Sequence, residues 1–145
     1  MEYHEAVNRL ECLRRLRPKL GTETTASLLA FLGNPHADLT CVQVAGSNGK
    51  GSTARMVESV LREAGLTVGL YTSPHLVDVR DRVRVDGRSM TEDALVEFVT
   101  EIEPYVTEGA TDGEAPTFFE TVTAMALWEF GRRDVDVAVL EVGIG

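Results

Sequence analysis

The chain has 145 residues, 43% of them hydrophobic, and a formal net charge of -9. That length and apolar content suit one globular domain, while the acidic balance and the lack of a basic stripe argue against a general nucleic-acid binder. No apolar run approaches the ~20 residues of a membrane span and the N-terminus is charged throughout, so neither a signal peptide nor a membrane helix is expected, and a cytoplasmic protein is.

Cys12 and Cys41 have no metal-ligand spacing and no need to pair, so reduced thiols are expected. Only two lysines, Lys19 and Lys50, stand against twelve arginines. With abundant acidic residues, that is the balance of a protein working in high salt.

Tyr3, Val7, Leu10, Leu13 and Leu16 recur at helical steps, predicting an amphipathic helix that ends at Pro18. A second helix follows, capped by Thr22 or Thr24, with Leu28, Leu29 and Leu32 on its apolar face and Gly33-Asn34-Pro35 as its stop. Cys41-Val42-Gln43-Val44-Ala45 reads as a short buried strand that runs into the glycine-rich stretch from Gly46 to Gly51. A helix over about 52–64 then carries Met56, Val57, Val60 and Leu61 on one face, and Gly65 terminates it. Residues 66–71 form a second strand, so strand, helix and strand imply a parallel pair joined by a right-handed crossover.

Residues 80–85 alternate arginine with apolar residues and meet Asp86-Gly87, one arm of a small hairpin or an edge strand. Arg80, Arg82 and Arg84 there either attract an anion or form a solvated face. Thr91 caps the next helix, with Glu92 and Asp93 in its first turn. Residues 107–116 read as a polar loop, Pro116 starts a mostly apolar helix through Phe130, and residues 135–142 are apolar enough for a central parallel strand. The expected fold is α/β, a P-loop-like parallel sheet with flanking helices, truncated before the sheet is complete.

The chemistry concentrates in Gly46-Ser47-Asn48-Gly49-Lys50-Gly51-Ser52-Thr53, between a strand and a helix. Glycines let backbone N–H groups turn toward phosphate oxygens, the helix offers its positive N-terminus, and Lys50 adds a point charge for the β- and γ-phosphates. The residue after the lysine is Gly51, where the usual loop has a Ser or Thr that ligates magnesium. Some of that ligation must come from elsewhere, and Tyr71-Thr72-Ser73-Pro74-His75 supplies hydroxyls at the carboxyl end of the second strand, where open α/β sheets bind ligands. Glu141 ends the run Val137-Ala138-Val139-Leu140, the place for an acidic residue that meets a nucleotide's magnesium. On spacing alone it could also be a solvent-facing or salt-bridged glutamate.

These segments, with Gly69-Leu70-Tyr71-Thr72-Ser73-Pro74-His75-Leu76, Pro116-Thr117-Phe118-Phe119-Glu120 and Val135 through Gly145, resemble in order the motif series of folylpolyglutamate and dihydrofolate synthases, of the Mur ligase superfamily. The resemblance covers essentially the whole chain, and Gly51 fits that family's variant loop. It implies the N-terminal part of the central ATP-binding domain, with the C-terminal glutamate-ligase domain outside this chain. It implies an ADP-forming ligase that uses Mg2+, ATP, L-glutamate and dihydropteroate or a folate, with no nucleic-acid or membrane partner and a monomer favoured. ATP would be held by Gly46, Ser47, Asn48, Gly49, Lys50, Gly51, Ser52 and Thr53, with Lys50 catalytic, and the metal by Ser73 and Glu141. Ser47 stands where the family usually has Thr and keeps the hydroxyl. Thr117, Phe118, Phe119 and Glu120 would line the pteridine pocket, one of the two rings being a core residue instead. Lys19, Leu20, Gly21 and Thr22 align with a loop of the same pocket, closely only at Leu20-Gly21.

Overall fold

The computed structural model describes residues 1–13, 23–45, 50–72, 78–112 and 116–142. They fall into two compact units, Met1–Pro35 with Thr91–Trp128, and His36–Met90 with Glu129–Gly145. No helix among the described residues is long and apolar enough to cross a membrane. Both cysteines are free and exposed.

The first unit is helical: α1 (Tyr3–Cys12), α2 (Glu23–Phe31), α4 (Glu92–Asp112) and the opening of α5 (Phe118–Arg132). Ala6, Leu10 and Leu13 are the buried stripe of α1, and Leu28 and Leu29 that of α2. The α2 stop works as the sequence predicts. Gly33 takes φ 87°, its N–H donates to the Ala30 carbonyl at 3.1 Å, and the Asn34 N–H reaches Leu29 at 2.8 Å, which satisfies carbonyls the helix would otherwise orphan. Thr24 lies within the helix, and Thr22 lies outside the described residues.

Thr91 caps α4, its Oγ1 accepting from the Ala94 N–H at 3.0 Å. Thr91→Ala is expected to cost about 1 kcal/mol of stability, seen as a lower urea midpoint at unchanged slope; a loss below about 0.3 kcal/mol would mean the cap contributes nothing. The helix then runs to Asp112 through Pro104, so the polar loop expected over 107–116 is helical as far as 112. Apolar positions Leu95, Phe98, Val99 and Ile102 keep the helical period and are buried. Thr107 and Glu108 are exposed positions on that helix, not a break in it. Phe98 packs against Trp128 with ring centroids 5.4 Å apart, and the Trp128 Nε1 donates to Glu101 at 3.2 Å.

The second unit carries β1 (Cys41–Ala45), α3 (Lys50–Glu63), β2 (Val68–Tyr71), β3 (Val83–Val85), β4 (Arg88–Ser89) and β5 (Val137–Val142). Among the described residues these five strands form one mixed sheet in the order β1-β5-β2-β3-β4. β1, β5 and β2 run parallel, and β3 and β4 add on antiparallel. β1 and β2 are thus parallel, as strand-helix-strand demands, but β5 sits between them and is central. The hairpin turns at Asp86-Gly87, with φ 51° and 81°, the left-handed pair a two-residue turn requires. Its first arm starts only at Val83, because Val79–Arg82 is a 3-10 turn capped by Asp78. Arg82 is buried there, and Arg80 pairs with Asp78 at 3.3 Å, so these arginines are not a solvated strand face.

Ala54 of α3 packs on Val68, Leu70, Val137 and Val139, with Val42, Val44, Val57 and Leu61 around them. Met56 and Val60, expected on the apolar face, are each 68% exposed. The stripe that meets the sheet is 54, 57 and 61, and Met56 and Val60 are not part of it. On the opposite sheet face, Gly69 lies under the Phe130 ring of α5.

Candidate functional site

The parallel strands share one carboxyl edge, ending at Ala45, Tyr71 and Val142. Residues 46–49 connect Ala45 to Lys50, the first residue of α3. Thr72 and residues 73–77 follow Tyr71. Glu141, on the central strand, is opposite Val44 of β1, and the preceding Leu140 is opposite Tyr71 of β2. Register therefore puts Glu141 between the two chain segments that leave β1 and β2, at the crevice where a doubly wound sheet takes its ligand.

Strand alternation sets Glu141 on the face of Val137 and Val139, which is the face α3 covers. It is 6% exposed, which rules out the solvent-facing glutamate. Glu58 and Glu129, buried in the same unit, pair with arginines on their own helices, Glu58 with Arg62 at 2.9 Å and Glu129 with Arg132 at 2.8 Å.

The start of α3 is set up for an anion. Its first turn holds no acidic residue, whereas α1, α4 and α5 all place Glu or Asp there. In those helices the carboxylates neutralise the positive end of the dipole; in α3 that end is left to whatever binds. Ser52 and Thr53 are exposed in the same turn.

Magnesium takes oxygen ligands, typically one or two from protein together with phosphate oxygens. The edge offers that donor type in the Glu141 carboxylate, and Thr72, directly after β2, is a buried hydroxyl residue. No group of three or more His, Cys, Asp or Glu residues that would suit another metal occurs among the described residues. The residues fit a nucleotide-borne magnesium.

In the first unit, Thr117 and Glu120 form a reciprocal cap at the start of α5. The Glu120 N–H donates to Thr117 Oγ1 at 3.2 Å, and the Thr117 N–H donates to Glu120 Oε1 at 2.9 Å, satisfying two N–H groups the helix cannot. The helix thus starts at Phe118, with Thr117 as its cap. Phe118 is buried at 6% exposure and Phe119 is 54% exposed. The core ring is Phe118, and Phe119 is the one with a face to offer.

Of the sequence-derived site residues, Lys50, Gly51, Ser52 and Thr53 open α3 and Glu141 lies on β5, while Thr117, Phe118, Phe119 and Glu120 cap and start α5. Gly46, Ser47, Asn48, Gly49 and Ser73, with Lys19, Leu20, Gly21 and Thr22, lie outside the described residues.

No protein-family model matches the chain. Individual proteins do. The Halobacterium salinarum protein named "Probable bifunctional folylpolyglutamate synthase/dihydropteroate synthase" is 68% identical over all of this chain, which spans 18% of that protein. The Escherichia coli dihydrofolate synthase/folylpolyglutamate synthase is 42% identical over 94% of this chain, matching 31% of its own length. A solved FPGS-AMPPCP-folate complex superposes with a TM-score of 0.89 at 40% identity, covering 100% of this chain and 36% of that one. Likeness of sequence and backbone along the whole chain places it in the folylpolyglutamate synthase and dihydrofolate synthase family, of whose members it spans only a part.

Proposed function

We propose that this chain forms the ATP-binding portion of a cytoplasmic, ADP-forming ligase that joins L-glutamate to dihydropteroate, to a folate already bearing glutamate, or to both. The observation that supports this reading best is the register of β5, with the buried Glu141 at the carboxyl end of the parallel strands. A relative of similar fold binds an ATP analogue and folate together, which supports both ligand classes.

A carboxylate is a poor electrophile. The reaction first transfers the γ-phosphoryl group of ATP to the acceptor carboxylate, releasing ADP and forming an acyl phosphate; the glutamate amine then attacks the acyl carbon and expels phosphate. Little covalent chemistry is asked of the protein, so its contribution is position and charge. The loop 46–49 and the α3 N-terminus hold the phosphates, Lys50 offsets the negative charge that develops between the β- and γ-phosphates, and Glu141 presents its carboxylate on the same edge. Magnesium, when bound with ATP, neutralises phosphate charge and fixes the phosphate geometry.

Phe119 suits stacking on a flat pteridine. Phe119→Ala is expected to raise the KM for the folate acceptor about tenfold, a loss on the scale of one aromatic contact, while the melting temperature stays put. Phe118→Ala should do the reverse, destabilising by about 3 kcal/mol through the cavity it leaves. Matched losses of stability in both variants would remove Phe119 from the pocket. The function itself is tested by following labelled L-glutamate into dihydropteroate and into tetrahydrofolate with the full-length protein, ATP and magnesium, at low and high salt. Incorporation identifies the acceptor. ATP binding with no incorporation into either acceptor would sink the folate assignment and leave another P-loop activity.

A further inference from the structure

One buried carboxylate ties together the starts of two helices in the first unit. Glu120 is 8% exposed, and both of its oxygens have donors: Oε1 accepts from the Thr117 N–H at 2.9 Å, and Oε2 accepts from the Thr25 hydroxyl at 3.5 Å. The first bond is the cap of α5. The second reaches 95 residues back along the chain, to the first turn of α2. That helix is itself held in place. Its Leu28 and Leu29 are buried, and its Ser27 Oγ accepts from the Tyr105 hydroxyl of α4 at 2.8 Å. Thr25 therefore offers its hydroxyl from a fixed helix, and Glu120 registers the start of α5 against it.

Phe119 is the neighbour of Glu120 in the first turn of α5 and is 54% exposed. A side chain leaves a helix at an angle fixed by its place in the turn, so the direction of the Phe119 ring follows from where and how that turn is anchored. A buried acceptor that loses a donor is costly, and the carboxylate then shifts to recover a partner and takes the cap with it. We propose that Thr25 is a positioning residue of the acceptor pocket: by holding Glu120 Oε2 it fixes the first turn of α5 so that Phe119 presents its ring to the flat heterocycle of the folate acceptor. This rests on the reading of the α5 start as part of that pocket. Glu120, buried and with both oxygens turned to protein donors, is the link between the helices, and Phe119 is the contact.

The test is steady-state kinetics of the full-length protein, varying first the acceptor, dihydropteroate or tetrahydrofolate, and then ATP, for the wild type, Thr25→Val, Thr25→Ser, Phe119→Ala and the Thr25→Val/Phe119→Ala double variant. Thr25→Val, close in shape to the native residue, is expected to raise the acceptor KM about fivefold and leave kcat and the KM for ATP unchanged. Thr25→Ser, which keeps the hydroxyl, restores most of the loss. In the Phe119→Ala background, Thr25→Val adds nothing further, as expected of two residues acting through one contact. An unchanged acceptor KM in Thr25→Val, a matching rise in the KM for ATP, or a full additional loss on top of Phe119→Ala overturns the role of Thr25 while the pocket stands. So does a Thr25→Val protein that fails to fold, because the hydroxyl would then serve stability and not the pocket. Phe119→Ala with the wild-type acceptor KM overturns the pocket reading of the α5 start itself, and Thr25's role with it.

Discussion

Lys50→Ala in the full-length protein is expected to lower kcat/KM for ATP about a hundred- to a thousandfold, the size of effect seen when one fixed charge or donor is removed from a transition state. Lys50 opens α3 directly after the 46–49 loop, in a first turn free of acidic residues. No neighbouring carboxylate in that turn competes with phosphate for the lysine. The residue is four positions before Ala54, the first α3 residue in the core cluster, so the melting temperature should not move. Glu141→Gln should produce a loss of the same order that deepens as magnesium is lowered, since the amide keeps the shape and gives up the charge. Activity within about threefold of wild type for Lys50→Ala would remove the lysine from the chemistry.

Gly69→Ala is expected to be the most damaging single change to the fold. A Cβ at that position would sit 2.5 Å from Phe130 Cδ1 and 2.7 Å from Cε1. Phe130 is fully buried, so its ring has no solvent to retreat into. Overpacking of this kind costs about 1–3 kcal/mol, and the upper end is expected because Gly69 pairs on both sides, with Val85 of β3 and Ala138 of β5. The strand cannot slide away without breaking two ladders. Urea unfolding of Gly69→Ala, Phe130→Leu and the double variant checks it: the double variant should be more stable than the sum of the single losses predicts. Additive losses would mean the ring is not what the glycine accommodates.

The local features were legible in the sequence because their causes are local. Asp86-Gly87 marks a hairpin, and Thr91 before Glu92-Asp93 marks a cap; the structure shows both. The unbroken apolar run of β5 announced a central strand, and it is paired on both sides. That β5 enters between β1 and β2 was not legible, since pairing partners far apart in sequence leave no periodic trace. Polarity misled over 107–112, where the helix continues to Asp112. It misled again at Met56 and Val60, whose apolar character says nothing of which way the helix is turned. Thr117-Phe118-Phe119-Glu120 carried two signals at once: a pocket by resemblance, and a helix cap by the spacing of Thr and Glu. The structure displays the cap.

The most direct test of the account follows the oxygen of the acceptor. With the reacting carboxylate of dihydropteroate or a folate labelled with oxygen-18, the full-length protein is given ATP, magnesium and L-glutamate, and the released phosphate is analysed by mass spectrometry. Activation through an acyl phosphate transfers one labelled oxygen to each phosphate formed, and labelled phosphate forms about a hundred- to a thousandfold more slowly with Lys50→Ala. Phosphate released without label would contradict carboxylate activation at this site.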